Sequence, residues 1–368
     1  MNRVLIIANT YYQLILAIQM SKTIKKNDKI IMLLSDHSKG SDEICRRLNV
    51  LKVFDKTYYI KSKEVIYSKR TELKRLKNYI DLTFRHRNRW SFFLDEVLTD
   101  TETNCFDEII CFNFGTDTYG LFSILSEYNH ELRISQYEEG ILSYGYIPEL
   151  TFGRRIINFT RKLLRKPIVS DAMGNFYCYH PSCYNGPLNP VKVPAISNDS
   201  SVVEILRNVF QVDGFSLRYD KKYIFFTSVY DFEGGEAIGE YDVVKKVANL
   251  VGKDNLLVKT HPRDMRTIYS DEEFNVDKNS AIPWEVIQLS ENFGENVFLT
   301  ATSGSVLAGS FMSEEPVRTL FLYKLCDVSR NASAKKSADD IKALLSKQDY
   351  KHILRNVSIA DKVEDILS

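Results

Sequence analysis

Two adjacent glutamates, Glu138 and Glu139, stand in the segment Gln136-Tyr137-Glu138-Glu139-Gly140, which directly follows the strand read at 132–135. Neighbouring side chains on an extended strand point to opposite sides, so two such carboxylates can hold different roles. One that is partly desolvated has its pKa raised toward the range of a general base. The same residues also suit an ordinary turn with two solvated acids, and Gly140 fits either reading by letting the backbone reverse or approach a ligand. A second segment, 256–263, runs from an apolar strand into Lys259, Thr260, His261, Pro262 and Arg263. Pro262 biases His261 away from helical dihedrals. Lys259 and Arg263 suit a phosphate, and a histidine touching that phosphate would serve as an acid or as a positive donor. In a third segment, 297–309, a strand leads into Thr302, Ser303, Gly304 and Ser305 and then an apolar helix. Hydroxyls and free N–H groups at that helix start form a phosphate cradle, although Ser303 also suits a plain N-cap.

These residues need elements that bring strand ends together. In the N-terminal half, short apolar runs alternate with helix-like segments: 4–8 then 12–21, 29–34 then a polar stretch to Leu51, 108–112 then 116–128, and 131–136 before the acid pair. Such alternation predicts parallel strands with crossover helices. His180-Pro181, Asn185-Gly186-Pro187 and Asn189-Pro190 crowd turn-formers together. Residues 180–220 therefore read as the connection between a domain at 1–185 and one at 186–368, with a short helix at 202–210. The pattern restarts at 223–227, 242–250, 255–260, 284–289, 297–301, 305–312 and 317–322. The fold class expected is α/β, with two Rossmann-like domains facing a central cleft and ligands beyond the C-terminal ends of the strands. Neither half carries G-x-G-x-x-G, and the hydroxylic loop lacks the lysine of a P-loop, which argues against a dinucleotide enzyme and a P-loop hydrolase.

The 368 residues are 44% hydrophobic and 26% charged, enough for two cores in a soluble chain. No run of about 20 uncharged apolar residues occurs, so no membrane-spanning helix is expected, and the start reads as a buried strand instead of a signal peptide. Six cysteines lack C-x-x-C spacing, which speaks against zinc or a disulfide framework and fits a reducing cytoplasm. Cys178 and Cys183 could bridge, but the composition argues against it. The net charge of +1 excludes a partner attracted by overall charge. Between Lys61 and Arg89, however, ten Lys or Arg face three acids. A second basic stretch, 154–166, mixes cations with apolar residues at helical spacing. Both stretches read as solvated helix faces or as a surface for anionic lipid headgroups or a charged acceptor. No nucleic-acid motif accompanies them.

Taken in order, the three segments resemble the acidic-acidic-Gly, His-Pro and Ser-rich motifs shared by bacterial sialyltransferases. The chain most resembles glycosyltransferase family 52, which contains sialyltransferases of lipooligosaccharide and capsule synthesis. Asn9-Thr10-Tyr11-Tyr12-Gln13-Leu14 is similar to that family's opening strand-to-helix turn, where Thr-Pro-Leu-Gln is more usual, and Pro283-Trp284-Glu285 is similar to its Pro-x-Glu segment. The resemblance implies a GT-B fold and inverting, metal-independent transfer of sialic acid from CMP-sialic acid. The acceptor would be a galactose-terminated glycan of a bacterial surface polysaccharide or lipooligosaccharide. It further implies Glu138, in preference to Glu139, as the base, and His261 at the departing cytidine monophosphate. Lys259, Pro262, Arg263, Thr302, Ser303 and Ser305 would surround the phosphate, and Glu285 the ribose or base. Asn9, Gln13, Tyr137 and Gly140 would lie on the acceptor side. No cofactor and no metal are implied; the partners are the nucleotide-sugar donor and the glycan acceptor. A homodimer and a cytoplasmic place at the inner face of the membrane are further expectations. Transfer of another sugar, or a non-catalytic carbohydrate-binding role in polysaccharide assembly, is the alternative.

Overall fold

The computed structural model describes residues 1–61, 93, 106–145, 152–214, 219–233, 235–279, 282–313 and 317–368. The basic stretch from Lys61 to Arg89 therefore lies, beyond its first residue, outside the described residues. The chain divides into two compact units, Met1–Pro194 and Ala195–Ser368.

The first unit is built on β1 (Arg3–Ala8), β2 (Lys29–Ser35), β3 (Lys56–Ile60), β4 (Glu108–Cys111), β5 (Arg133–Tyr137), β6 (Met173–Cys178) and β7 (Asn189–Lys192). The strands lie in the order β3-β2-β1-β4-β5-β6-β7, and every pair is parallel. β1 and β4 are buried at every residue, as expected for central strands covered on both faces. Helices α1 (Tyr11–Lys22), α2 (Ser41–Val50), α3 (Thr116–Leu125) and α4 (Phe152–Leu163) follow β1, β2, β4 and β5. Residues 12–20 of α1 are all buried, which accounts for its nearly uninterrupted apolar sequence. Thr10 starts this helix by accepting from the Gln13 N–H.

The second unit repeats the plan with β8 (Tyr223–Phe226), β9 (Leu256–Lys259), β10 (Asn275–Asp277), β11 (Val297–Thr300), β12 (Arg318–Phe321) and β13 (Val357–Ile359). The order β10-β9-β8-β11-β12-β13 is again parallel throughout. Its helices are α5 (Ser201–Phe210), α6 (Glu240–Val251), α7 (Trp284–Ser290), α8 (Ala308–Met312) and α9 (Ala332–Ser346), with shorter turns between.

In each sheet the chain starts in the middle, winds outward through two strands, and returns to continue on the other side. This is the doubly wound Rossmann order, and the reversal falls between β1 and β4 and between β8 and β11. Such switch points leave a crevice beyond the strand C-termini where ligands gather. Both units are thus Rossmann-like α/β domains, in agreement with the alternation in the sequence. β7 pairs with β6 although it lies past residue 186, and the division between Pro194 and Ala195 falls within the connection read at 180–220. Pro190 sits in this outer strand, where a missing N–H costs no ladder bond.

Cys178 and Cys183 are buried and are not joined by a disulfide. Among the described residues no helix is long and apolar enough to cross a membrane, and no group of three or more His, Cys, Asp or Glu could hold a metal ion.

Candidate functional site

Each unit carries polar residues at the strand ends around its switch point. In the first unit β5 ends at Tyr137, and Glu138 continues the strand by donating its N–H to the Tyr177 carbonyl at 3.0 Å. The Glu138 side chain turns into the protein and is fully buried. One carboxylate oxygen accepts from the Tyr12 hydroxyl at 2.5 Å; the other accepts from the Tyr144 hydroxyl and from the Tyr179 N–H at 2.9 Å. Burial pushes this carboxyl up to about 7, against the opposing pull of the three donors. Both oxygens of Glu138, the glutamate expected as the base, thus accept from protein donors, an arrangement that favours a positioning role over proton transfer. Glu138 ties α1, the turn after Gly140 and the β6 end to one another.

Glu139 faces the other way and is half-buried. Burial raises its pKa, while hydrogen bonds from Thr10 and Gln13 and the charge of His37 oppose the rise. The Gln13 amide oxygen is taken by the Asn9 N–H at 2.6 Å and the Tyr137 hydroxyl at 3.2 Å. Its amide nitrogen is thereby left to serve Glu139. The turn beyond is held by Ser143, whose hydroxyl donates to the Gly140 carbonyl at 2.6 Å and accepts the Glu139 N–H at 3.0 Å. Gly140 has φ of 68°, a left-handed conformation that disfavours any side chain, so the glycine serves the turn. Tyr137 is fully buried with its hydroxyl donating to the Ile7 carbonyl at 2.5 Å. Tyr137 and the buried Gln13, both expected on the acceptor side, thus hold the acid pair in position. Asn9 is half-buried at the β1 end.

In the second unit β9, β8 and β11 are neighbours, so their C-terminal ends form one polar edge. His261 is half-buried. Its N–H donates to the buried Thr227 hydroxyl beyond β8 at 2.9 Å, and its Nδ1 accepts the Arg263 N–H at 3.1 Å. Burial, then the Arg263 charge, lowers its pKa. An accepting Nδ1 leaves the proton on Nε2, which makes His261 a neutral donor.

The cations expected around a phosphate are placed elsewhere. Lys259 is buried and donates to Asp277 and to the Asn279 carbonyl, both at 2.9 Å, and so joins β9 to β10 and the turn after it. A lysine at a strand end needs a counter-charge when buried, and the facing strand supplies one. Arg263 is exposed and pairs with Glu233 at 2.8 Å. Pro262 is exposed beside it. The hydroxylic loop has the expected position: Ser303 donates its N–H to the Thr300 hydroxyl at 2.9 Å, and the Ser303 and Ser305 hydroxyls lie 2.8 Å apart. The buried Thr302 hydroxyl has no hydrogen-bond partner among the described residues. Glu285 lies half-buried in the first turn of α7, and burial raises its pKa.

The sequence reading missed the loop after β8. Thr227 orients the His261 backbone, and Ser228 is buried next to it. The Ser228 N–H donates to the fully buried Glu240 at 2.8 Å, and burial pushes that carboxyl up to about 8. Asp231 accepts from the N–H groups of Ile238, Gly239 and Tyr241 and so shapes the loop into α6. The available signal was positional, two hydroxyls directly after an apolar strand next to the His-Pro strand.

No family model matches the chain, and no curated protein matches it. Among solved structures, it is similar to the spinosyn rhamnosyltransferase SpnG, with a TM-score of 0.46 and 11% identity over 100% of this chain and 96% of that one. The calicheamicin glycosyltransferase CalG4 gives a TM-score of 0.46 and 9% identity over 96% of this chain and 94% of that one. A UDP-GlcNAc 2-epimerase from Neisseria meningitidis bound to UDP-GlcNAc gives 0.44 and 11% over 99% and 89%. Likeness at this level says nothing about chemistry, and the fold assignment above rests on the strand order of each sheet.

Proposed function

We propose that this chain is a GT-B glycosyltransferase that transfers sialic acid from CMP-sialic acid to a galactose-terminated glycan of a bacterial surface polysaccharide or lipooligosaccharide. The observation that carries the reading is the unequal fate of the acid pair. One glutamate is sealed in as a structural tie, and the other is held half-open by Thr10 and Gln13, residues of the opening turn that resembles family 52. The His-Pro and hydroxylic segments, at the β9 and β11 ends of the second unit, support it.

In this reading Glu139 accepts the proton of the acceptor hydroxyl, whose oxygen attacks the anomeric carbon of sialic acid. The bond from that carbon to the phosphate oxygen breaks, and cytidine monophosphate leaves with the electron pair. Negative charge grows on the phosphate, and fixed donors aimed at it lower the barrier without rearranging. The Nε2–H of His261 and the hydroxyls of Thr302, Ser303 and Ser305 are those donors. Glu285 would hold the ribose or base. No divalent ion is assigned a role, as the family resemblance implies.

A thermal-shift panel of CMP, UDP, GDP and their sugar conjugates tests the assignment, because a ligand that binds only the folded protein raises its melting temperature. CMP and CMP-sialic acid should give the largest shifts. A larger shift with a uridine or guanosine nucleotide would replace the donor while leaving the fold and the acid pair as described.

A further inference from the structure

Helix α4 is built inside out. Its polar residues Asn158 and Arg161 are buried, whereas Ile156, Phe159 and Leu163 are 51%, 65% and 68% exposed and the following Leu164 is 58% exposed. Ile156, Phe159 and Leu163 recur at intervals of three and four, so they form one outward row. A surface helix of a globular protein normally points such a row at the core. Here the inner face is fixed by polar bonds. Asn158 accepts from the Tyr119 hydroxyl, and the Arg161 guanidinium donates to the Pro167 carbonyl at 2.8 Å and the Ser126 hydroxyl at 3.0 Å. The helix therefore cannot roll its apolar row inward without breaking these bonds.

Cations border the row. Arg155, Lys162, Arg165 and Lys166 are exposed, and residues 152–166 contain no Asp or Glu. Among the described residues, Lys166 is the one of the four with a counter-charge, Glu127 at 2.5 Å. Arg165 takes φ of 53° and ends the helix, which presents Leu164 and Arg165 at its rim. We propose that this face of α4 docks on an anionic lipid bilayer, with Phe159 and Leu163 among the upper acyl chains and Arg155, Lys162 and Arg165 at the headgroup phosphates. An exposed apolar row flanked by cations is the composition that seats a helix in the plane of a membrane interface. A second copy of the chain is a poorer occupant, since a two-fold contact through this face would set one cluster of cations against its equal. The inference is independent of which sugar is transferred.

Sedimentation of the full chain with lipid vesicles tests it. Wild type should bind phosphatidylcholine vesicles containing phosphatidylglycerol, release in high salt, and ignore phosphatidylcholine alone. Phe159→Gln with Leu163→Gln should weaken binding by about tenfold or more, given the apolar surface removed. Arg155→Gln with Lys162→Gln should weaken it by roughly twenty-five-fold at low salt, about fivefold per cation. All four positions are exposed, so melting temperatures should stay unchanged and show that both variants fold. Vesicle binding that is absent, or indifferent to both double variants, would overturn the proposal. So would variants that alter only the mass of the free protein, because the occupant would then be a second copy.

Discussion

The two strand-end sites differ in how their polar groups are satisfied. In the first unit the acid pair is held by protein hydrogen bonds: Glu138 accepts from the Tyr12 and Tyr144 hydroxyls and the Tyr179 N–H, and Gln13 accepts from the Asn9 N–H, while the buried Tyr179 hydroxyl has no partner among the described residues. In the second unit the hydroxyls are tied differently: the buried Thr302 hydroxyl has no hydrogen-bond partner among the described residues, and the Ser303 and Ser305 hydroxyls lie 2.8 Å apart. Protein hydrogen bonds fix a carboxylate in position, whereas an unfilled donor suits a site completed by an anion. On the proposed function, the first unit presents the base and the second receives the phosphate.

Four substitutions test the contrast, beginning with the largest effect. Glu139→Gln should lower transfer by about 10²–10⁴-fold with an unchanged melting temperature, as expected for loss of a general base; near-normal turnover would break the division between the two glutamates. His261→Ala removes the neutral Nε2 donor and should lower kcat by about 10²–10³-fold, measured at saturating donor. Glu138→Gln should act on stability. Because burial raises the folded-state pKa from 4.5 to about 7, the wild type loses stability as pH rises through that window, where the unfolded chain ionises first. The loss attributable to this group is roughly 3 kcal/mol, and the variant should flatten it in urea titrations run across those pH values. Glu240 is present in both proteins, so its own contribution cancels. Thr302→Val should raise stability by about 1 kcal/mol by removing an unpaired buried hydroxyl, while weakening CMP binding by about tenfold in calorimetry. Tighter CMP binding by that variant would place the phosphate elsewhere.

Much of this arrangement was readable in the sequence where periodicity is strong. The central strands β1, β2, β4, β8, β9, β11 and β12 are continuous apolar runs, because both faces are covered, and α1, α3 and α6 follow at the expected places. The outer strands β3, β6, β7, β10 and β13 escaped notice. They are short or half-exposed, as with Asn275–Asp277 and Val357–Ile359, so their residues carry no run to detect. Helix α9 was missed because only Ala334, Ala338 and Ile341 are buried, which leaves a weak apolar stripe in a lysine-rich segment.

Within the candidate site, position was legible and partnership was not. Glu138, Glu139, His261 and Ser303 all fall at strand ends, as read. Which glutamate turns inward depends on Tyr12 and Tyr144, residues brought to it from α1 and from the turn beyond Gly140. Lys259 was assigned to a phosphate because Asp277 is 18 residues away in sequence and becomes its partner only once β10 pairs with β9. The basic segment 154–166 was read as a charged surface. Its buried Arg161 and outward Phe159 follow from tertiary contacts that helical spacing leaves undetermined.

The most direct test of the central claim follows a labelled donor. Purified full-length chain is incubated with CMP-sialic acid, labelled in the sugar, and a lactose-terminated acceptor in buffer containing a metal chelator. The account predicts label in the elongated glycan with equimolar release of CMP. No consumption of donor by folded protein, or label transferred only from a uridine-linked sugar, would contradict it.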